Sequence, residues 1–217
     1  AAWGVGAPEA CKPGELLALA EPGTVDPNSP GASSDAARGS RAVSNVFEPG
    51  STAKVVTMAA ALETGLATPA NQYTVPYAFT TANNQTFHDS HPHPDLKLTL
   101  AGILARSSNA GTVMAGQNLP QQVRYDYLSK FGFGTATGLG LPGESNGILH
   151  PVDQWDGRMK YSVLFGQGVS VNAIQATQVY ATVANGGVRV QPHIIKDYVD
   201  ANGIVTKPEF AEPTWVV

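Results

Sequence analysis

The sequence predicts an α+β fold in which strands from the two chain ends form an antiparallel sheet and a large helical subdomain lies between them. Two observations predict this class. Alternating apolar and polar residues, bounded by turn residues, recur near both ends, at 1–20 and 188–207. The middle of the chain instead has helical spacing of its apolar residues, at 51–64 and 99–131. Terminal strands that flank a helical segment are expected to share one sheet.

In the first half of the chain, composition and turn residues define the expected elements. Lys12-Pro13-Gly14 supplies a turn between two strand-like stretches, and Gly65 ends the first helix. Ser, Ala and Gly dominate the segment before that helix, while Pro, Asn and His recur after it. The expected order is a hairpin (1–10 and 15–20), a loop (29–44), a helix (51–64) and an irregular segment (65–95).

In the second half, helices are expected to give way to strands. Pro120 suits the first turn of a helix, and Asn185-Gly186 is typical of a helix end. Gly residues crowd the stretch from 132 to 152, which is therefore predicted to be a loop. The expected elements are helices at 99–106, 110–117, 120–131 and 172–184, followed by strands at 188–190, 193–199 and 203–207.

The composition is that of an ordinary enzyme domain. A chain of 217 residues can bury a sizeable core. The net charge of −4, with 14% charged residues, gives no electrostatic footprint for nucleic acid. No apolar run approaches the ~20 residues that a membrane-spanning helix needs. The lone cysteine, Cys11, excludes an internal disulfide and is expected to be a packing residue.

The strongest functional signal is the segment Glu48-Pro49-Gly50-Ser51-Thr52-Ala53-Lys54, which leads into an apolar helix. Residues three apart share a helix face, so the Lys54 amine can reach the Ser51 hydroxyl. Free N–H groups at a helix start favour the negative charge that forms when a serine attacks a carbonyl. The same helix end, together with burial, favours a neutral Lys54 that acts as a base. The alternative is an unremarkable surface Ser and Lys, since S-x-x-K is short.

A second signal, Ser107-Ser108-Asn109, interrupts two predicted helices. Hydroxyl and amide side chains are poor in helix interiors but suit a site in a tight break. Ser107 is a candidate to relay a proton to a leaving amine, and Asn109 a candidate to hold Lys54 or a substrate carbonyl. The alternative is a capping turn, because Ser and Asn are also preferred helix caps.

Together these motifs resemble the transpeptidase domain of class B penicillin-binding proteins, in which S-x-x-K, an S-x-N element and Lys-Thr-Gly form the site. The resemblance extends over about residues 5–195, including Leu141-Pro142-Gly143-Glu144, Phe165-Gly166-Gln167-Gly168 and Asn185-Gly186-Gly187. It implies that Ser51, Lys54, Ser107 and Asn109 are catalytic. It also implies substrate-binding roles for Ser108, Gly166, Gln167 and Gly168.

The sequence departs from this family at three places. Ala53 and Asn172 replace a usual aromatic residue and a usual threonine, and no Lys-Thr-Gly or Lys-Ser-Gly occurs. The resemblance therefore implies a partial transpeptidase domain with an incomplete sheet and impaired activity on its own. Residues 1–50 and 166–217 would form its sheet side, and residues 51–165 its mainly helical part.

The resemblance implies a peptidoglycan D,D-transpeptidase that crosslinks stem peptides ending in D-Ala-D-Ala and is acylated at Ser51 by β-lactams. It implies no cofactor and no metal. It places the protein at the extracytoplasmic face of the bacterial cell membrane, held by an anchor outside this sequence. The expected partners of the parent protein are a glycosyltransferase and division or elongation proteins.

Three alternatives stay open or are set aside on residue grounds. A β-lactamase or D,D-carboxypeptidase would share the motifs, but Glu144 lacks the E-x-x-L-N context of a deacylating glutamate. A catalytically silent β-lactam-binding or scaffold module is the alternative from another class. A metal site at His88, Asp89, His91 and His93 is disfavoured, because spacing around prolines in a loop fixes no ligand geometry.

Overall fold

The computed structural model describes residues 2–3, 14–21, 25–26, 28–34 and 38–217. Contacts divide the chain into two compact units. One comprises Ala1–Phe47, Thr135–Gly147 and Val171–Val217, and the other comprises Glu48–Gly134 and Ile148–Ser170. The sequence-based boundaries after residues 50 and 165 stay a prediction. Cys11 and the turn residues 12 and 13 lie outside the described residues.

Short elements make up the described fold. The helices are α1 (Arg41–Ser44), α2 (Lys54–Glu63), α3 (Leu100–Arg106), α4 (Asn109–Gly116), α5 (Gln121–Lys130), α6 (Met159–Ser162) and α7 (Ala173–Ala184). The strands are β1 (Ala2–Trp3), β2 (Leu16–Ala18), β3 (Gln72–Val75), β4 (Ala78–Thr80), β5 (Thr86–His88), β6 (Leu96–Thr99), β7 (Val188–Arg189), β8 (Tyr198–Val199), β9 (Val205–Thr206) and β10 (Thr214–Trp215). Four 3₁₀ turns lie at Pro30–Ala32, Gly50–Ala53, Val152–Gln154 and Val163–Phe165.

The unit that contains both chain ends carries the terminal strands. β1 pairs with β2, β7 with β10 and β8 with β9, all antiparallel. Glu15 and His193 add a single parallel bridge between the two ends of the chain. The α+β class is confirmed, but the described strands form separate short pairs instead of the one sheet expected. The segment predicted as one strand at 193–199 is paired only at its two ends, at His193 by the bridge to Glu15 and at Tyr198–Val199, with a bend at Ile194 between them.

Helix α7 organises this unit. Asn172 accepts a hydrogen bond from the Gln175 N–H, and the Gln175 side chain accepts one from the Asn172 N–H, each at 2.8 Å. This reciprocal capping box fixes where the predicted helix begins. The buried Gln175 amide also donates to the backbone carbonyls of Thr135 and Asn146. Val43 and Leu139 pack with Ile174 in the core beneath the helix.

The other unit is built around α2, which packs against α3, α4 and α5. The prediction that residues 65–95 are irregular is wrong for part of that segment. β3 pairs with β6 in a four-residue register, and β4 pairs with β5 across a turn at Thr81–Gln85. These ribbons alternate buried and exposed side chains over only three or four residues, too short a run to stand out among Pro, Asn and His. Within the described residues, no helix is long and apolar enough to cross a bilayer.

Helix starts differ slightly from the sequence-based expectation. The segment predicted as a helix from residue 51 begins with the 3₁₀ turn Gly50–Ala53, and α2 begins at Lys54. Pro120 precedes α5 as its N-cap instead of opening the helix. Sequence reasoning missed α6 and the 3₁₀ turn after it, which together span only seven residues. Elements of one or two turns have too few apolar positions to show a period.

Candidate active site

The turn that carries Ser51 is tighter than an α-helix. The Lys54 N–H donates to the Ser51 carbonyl, which closes the 3₁₀ turn. In this geometry the side chains of residues i and i+3 eclipse each other, so Ser51 and Lys54 lie on one side of the turn. The Ser51 side chain is exposed and makes no hydrogen bond to a described residue. Its N–H likewise has no acceptor among the described residues, which leaves it available to a bound anion.

Lys54 is fully buried, and its amine contacts Ser107 of the second motif. Its Nζ donates to the Ser107 carbonyl at 2.5 Å and lies 3.2 Å from the Ser107 hydroxyl oxygen. Burial lowers the pKa of Lys54 to about 8, although the negative charge of Asp89 opposes this shift. At pH 7 about one amine in ten is then neutral, which is enough for Lys54 to serve as a base.

The second motif is a break between two helices. Ser107 ends α3 in a left-handed conformation (φ 55°), which turns the chain and presents its carbonyl and hydroxyl to Lys54. Ser108 starts α4, and its hydroxyl accepts the Gly111 N–H at 2.8 Å. Ser108 is only 2% exposed and caps the helix from within the core, and its substrate-binding role stays a prediction.

The Asn109 side chain is bonded to the end of β5. Its Nδ2 donates to the His88 carbonyl at 3.0 Å, which ties the second motif to the end of β5. The alternative in which Asn109 holds Lys54 would use the Asn109 Oδ1 atom as acceptor, whereas the hydrogen bonds of the Lys54 amine seen among the described residues go to Ser107. A role of Asn109 toward a substrate carbonyl stays a prediction.

The Gly166-Gln167-Gly168 segment braces the nucleophile turn from behind. The Gly50 N–H donates to the Gly166 carbonyl at 2.9 Å, and the Gly168 N–H donates to a Glu48 carboxylate oxygen at 2.7 Å. Gly166 is buried, whereas Gln167 is exposed. The segment thus contacts the turn through its backbone, and only Gln167 presents a side chain to solvent.

Gly166→Ala is expected to displace the nucleophile turn. A Cβ at this position would lie 2.2 Å from the Gly50 carbonyl oxygen, and the φ of 78° also disfavours a side chain. Gly65→Ala is the matched control, because its φ is 70° but no atom lies within 4 Å of the added Cβ. In the full-length protein, Gly65→Ala should lower Tm by about 2–4 °C and leave acylation by a penicillin unchanged.

For Gly166→Ala we expect at least twice that loss in Tm and an acylation rate reduced about tenfold or more, since small displacements of reacting groups are costly. Differential scanning calorimetry and single-turnover labelling measure the two effects. Equal Tm and labelling rates for both variants would show that the close approach of Gly50 and Gly166 does not hold the turn.

A carboxylate that sequence reasoning weighed only as a metal ligand lies beside the second motif. Asp89 Oδ1 accepts the Ala110 N–H at 2.9 Å in the first turn of α4, and Oδ2 lies 3.0 Å from His93 Nε2. Burial alone raises the pKa of the Asp89 carboxyl. Hydrogen bonds, led by that of the Ser108 hydroxyl, outweigh burial and hold this pKa below its usual range.

The histidine-rich segment has no metal-binding arrangement in the part of the chain that the structure describes, where no three His, Cys, Asp or Glu side chains converge. His93 instead pairs with Asp89. In the other unit, the Glu144 carboxylate accepts hydrogen bonds from the N–H and hydroxyl of Thr137, as a loop residue would.

The chain also matches known proteins over nearly its whole length. The model of the penicillin binding protein transpeptidase domain matches residues 10–215. The chain belongs to this family. It is similar to the penicillin-binding protein PbpB of Mycolicibacterium smegmatis, with 42% identity over 207 residues that cover 95% of the chain and 32% of that protein. It is 34% identical to the peptidoglycan D,D-transpeptidase FtsI of Escherichia coli K12 over 81% of the chain and 29% of that protein.

Solved structures of this transpeptidase family have the same fold. A peptidoglycan synthetase from Bifidobacterium adolescentis superposes with a TM-score of 0.81 at 46% identity, covering 86% of this chain and 34% of that one. Penicillin binding protein 3 from Mycobacterium tuberculosis, in complex with ampicillin, gives 0.78 at 41% identity, covering 82% and 39%. The resemblance to class B penicillin-binding proteins is thereby confirmed. The chain spans about a third of the length of the curated relatives named here.

Two residues of this transpeptidase-family chain gain roles that sequence reasoning did not give them. Glu48 binds the backbone of the Gly-Gln-Gly segment, and Asp89 binds the first turn of α4. Glu48 stands three residues before Ser51, and that proximity is a signal for a role at the site. For the role of Asp89 at α4 no sequence signal was available, because this contact joins residues 21 positions apart.

Proposed function

We propose that this chain carries the nucleophile and the second motif of a peptidoglycan D,D-transpeptidase that β-lactams acylate. The observation that carries the proposal is the Lys54 amine, which is fully buried, contacts Ser107 and shares one side of a turn with Ser51. A buried amine gives up its hydration, so its placement beside the Ser107 hydroxyl supports a chemical role for Lys54. The names of the relatives, among them peptidoglycan D,D-transpeptidase FtsI, support the same reaction.

In the proposed mechanism, neutral Lys54 takes the proton from the Ser51 hydroxyl. The Ser51 oxygen forms a bond to the carbonyl carbon of the penultimate D-Ala, and the Ser51 N–H donates to the oxyanion that results. The C–N bond to the terminal D-Ala then breaks. The proton reaches the leaving amine through the Ser107 hydroxyl, which lies 3.2 Å from the Lys54 amine.

An acceptor amine from a second stem peptide completes the proposed cycle. It attacks the acyl-enzyme carbonyl, gives its proton back through Ser107 and Lys54, and releases the Ser51 hydroxyl. A β-lactam follows the first half of this path, but its ring amine stays attached to the acyl group after the C–N bond breaks. The acyl-enzyme is then expected to persist, because Glu144 lacks the E-x-x-L-N context of a deacylating glutamate.

The substrate indicates where the protein works and with which partners. Peptidoglycan stem peptides lie outside the bacterial cell membrane, so we place this site on the extracytoplasmic face. A glycosyltransferase that makes the glycan strands, together with division or elongation proteins, is the partner class that such a crosslinking enzyme needs.

The 217-residue sequence contains no Lys-Thr-Gly or Lys-Ser-Gly, the element to which the family resemblance assigns a second oxyanion donor and a clamp for the substrate carboxylate. Loss of one oxyanion donor typically slows acyl transfer by about a hundred- to a thousandfold. A polypeptide restricted to residues 1–217 should therefore react with penicillin by that factor more slowly than the full-length protein. Equal rates, measured by intact mass spectrometry, would show that Ser51 and Lys54 suffice.

The products formed from a D-Ala-D-Ala peptide separate the candidate functions. Full-length protein is incubated with an acyl-D-Ala-D-Ala stem peptide and an excess of an amino-acceptor peptide, and the products are identified by mass spectrometry. The proposal predicts two products, the stem peptide crosslinked to the acceptor peptide and free D-Ala. Hydrolysed stem peptide without a crosslinked product would indicate a carboxypeptidase. Rapid hydrolysis of penicillin would indicate a β-lactamase. No product from either substrate would indicate a catalytically silent module.

A further inference from the structure

We propose that Asp89 is a positioning residue for the acyl transfer, one that fixes the turn carrying Ser107 and Asn109 and whose negative charge acts on the Lys54 amine that contacts this turn. This inference rests on the function proposed above and adds a residue that neither motif contains. Asp89 lies outside the S-x-x-K and S-x-N segments, and its side chain is only 10% exposed.

The segment after β5 holds the second motif at two points. The His88 carbonyl accepts from the Asn109 amide at 3.0 Å, and the Asp89 carboxylate accepts from the Ala110 N–H at 2.9 Å. Asp89 is itself tied to the ribbon, because its N–H donates to the Tyr77 carbonyl at 3.0 Å. The positive end of the α4 helix dipole also stabilises a carboxylate that contacts the first turn of this helix. These bonds fix the end of the turn from which Ser107 contacts Lys54.

His93 holds the other oxygen of the carboxylate. Its Nδ1 lies 2.7 Å from the Pro94 carbonyl oxygen, which can only accept, and its Nε2 lies 3.0 Å from Asp89 Oδ2. Both ring nitrogens therefore face acceptors, an arrangement that suits an imidazolium beside an ionised carboxylate. Both hydrogen bonds raise the pKa of His93, and the bond to the Pro94 carbonyl has the larger effect. The Tyr77 ring packs edge-on against the His93 ring and covers the pair.

The negative charge of Asp89 and the burial of Lys54 have opposite effects on the pKa of the Lys54 amine. Burial lowers the pKa of Lys54, and Asp89 raises it, so the two effects together give a value of about 8. His93 pairs with the Asp89 carboxylate, and Arg106 of α3 acts on His93 and lowers its pKa. Asp89 is the group with a resolved charge effect on the Lys54 amine itself.

The test is the pH profile of acylation for Asp89→Asn in the full-length protein. An asparagine keeps the shape of the side chain and an oxygen that accepts the Ala110 N–H, but it removes the negative charge. Without that charge the ammonium form of Lys54 is less favoured, so the midpoint of the rising acylation limb should move to lower pH by a few tenths to about one unit. Asp95→Asn is the matched control, since Asp95 is exposed and lies in the same segment.

Acylation is followed with a fluorescent penicillin between pH 5.5 and 9.5, and thermal unfolding shows that each variant is folded. Should Asp89→Asn fail to fold, Asp89→Ser replaces it, because serine also accepts a helix N–H and carries no charge. A shift to lower pH in the Asp89 variant, with Asp95→Asn superimposed on the parent, supports the inference. An unshifted or upward-shifted Asp89 profile overturns it, while a parent protein that penicillin does not label at Ser51 overturns the proposed function instead.

Discussion

Ser51→Ala is expected to abolish covalent labelling of the full-length protein by a fluorescent penicillin. Ser107 lies 3.2 Å from the Lys54 amine and Ser51 shares one side of the turn with Lys54, but of these two serines only Ser51 has a backbone N–H without an acceptor among the described residues. The Ser107 N–H is bonded to the Leu104 carbonyl at 3.0 Å, whereas the Ser51 N–H has no acceptor among the described residues. An attacking oxygen needs such a donor for the oxyanion that forms, so we expect the acyl group on Ser51.

The matched control for this substitution is Ser44→Ala, which removes an exposed hydroxyl from α1 and should leave labelling unchanged. Ser107→Ala should retain slow labelling, because it removes the proton relay and leaves the nucleophile. Labelled protein is detected by gel fluorescence and intact mass. If Ser51→Ala were labelled at the parent rate and Ser107→Ala were not labelled, the nucleophile would be Ser107 and not Ser51.

Lys54→Arg is expected to reduce acylation by about a hundredfold or more. An arginine stays protonated at every accessible pH, so it cannot take the proton from Ser51, and removal of a general base costs this order of magnitude. Its guanidinium would also occupy a fully buried position that now holds an amine. The measurement is the second-order rate constant for penicillin acylation, with Lys97→Arg on an exposed strand position as the control.

The pH dependence of the parent protein tests the same assignment without a substitution. The pKa of Lys54 is lowered to about 8, so the neutral fraction rises as pH increases through that value. The acylation rate constant should therefore climb between pH 6.5 and 9 and level off above it. A Lys54→Arg variant that acylates within a few-fold of the parent, or a flat parent profile over this range, would exclude Lys54 as the base.

The proximity of the motif residues was easier to predict from the sequence than the pairing of the strands, for reasons that differ between residues. Ser51 and Lys54 are three residues apart, so a single turn brings them together whatever the rest of the fold does. The helix at Ala173–Ala184 was also predictable, since Asn172 and Gln175 cap it locally. In contrast, the pairing of β7 with β10 joins residues about 25 positions apart through two-residue strands, for which no local pattern exists.

Burial and long-range contacts account for the remaining differences at the site. Ser108 and Asn109 carry similar sequence signals, yet one caps α4 from within the core and the other reaches the His88 carbonyl. Asp89 sits in a segment whose histidines suggested a metal, and its contact with α4 follows only from the packing of β5. Such roles depend on which elements meet, which neither spacing nor composition encodes.

Peptide mapping of the penicillin adduct on the parent protein tests the central claim most directly. Full-length protein is labelled at pH 8, digested, and the modified residue is located by tandem mass spectrometry. A Ser51 N–H without an acceptor among the described residues, an exposed Ser51 and the buried Lys54 predict one penicilloyl group per chain, on Ser51. An adduct on Ser107 or on any other residue, or no adduct at all, would contradict the assignment of Ser51 as the acyl-transfer nucleophile.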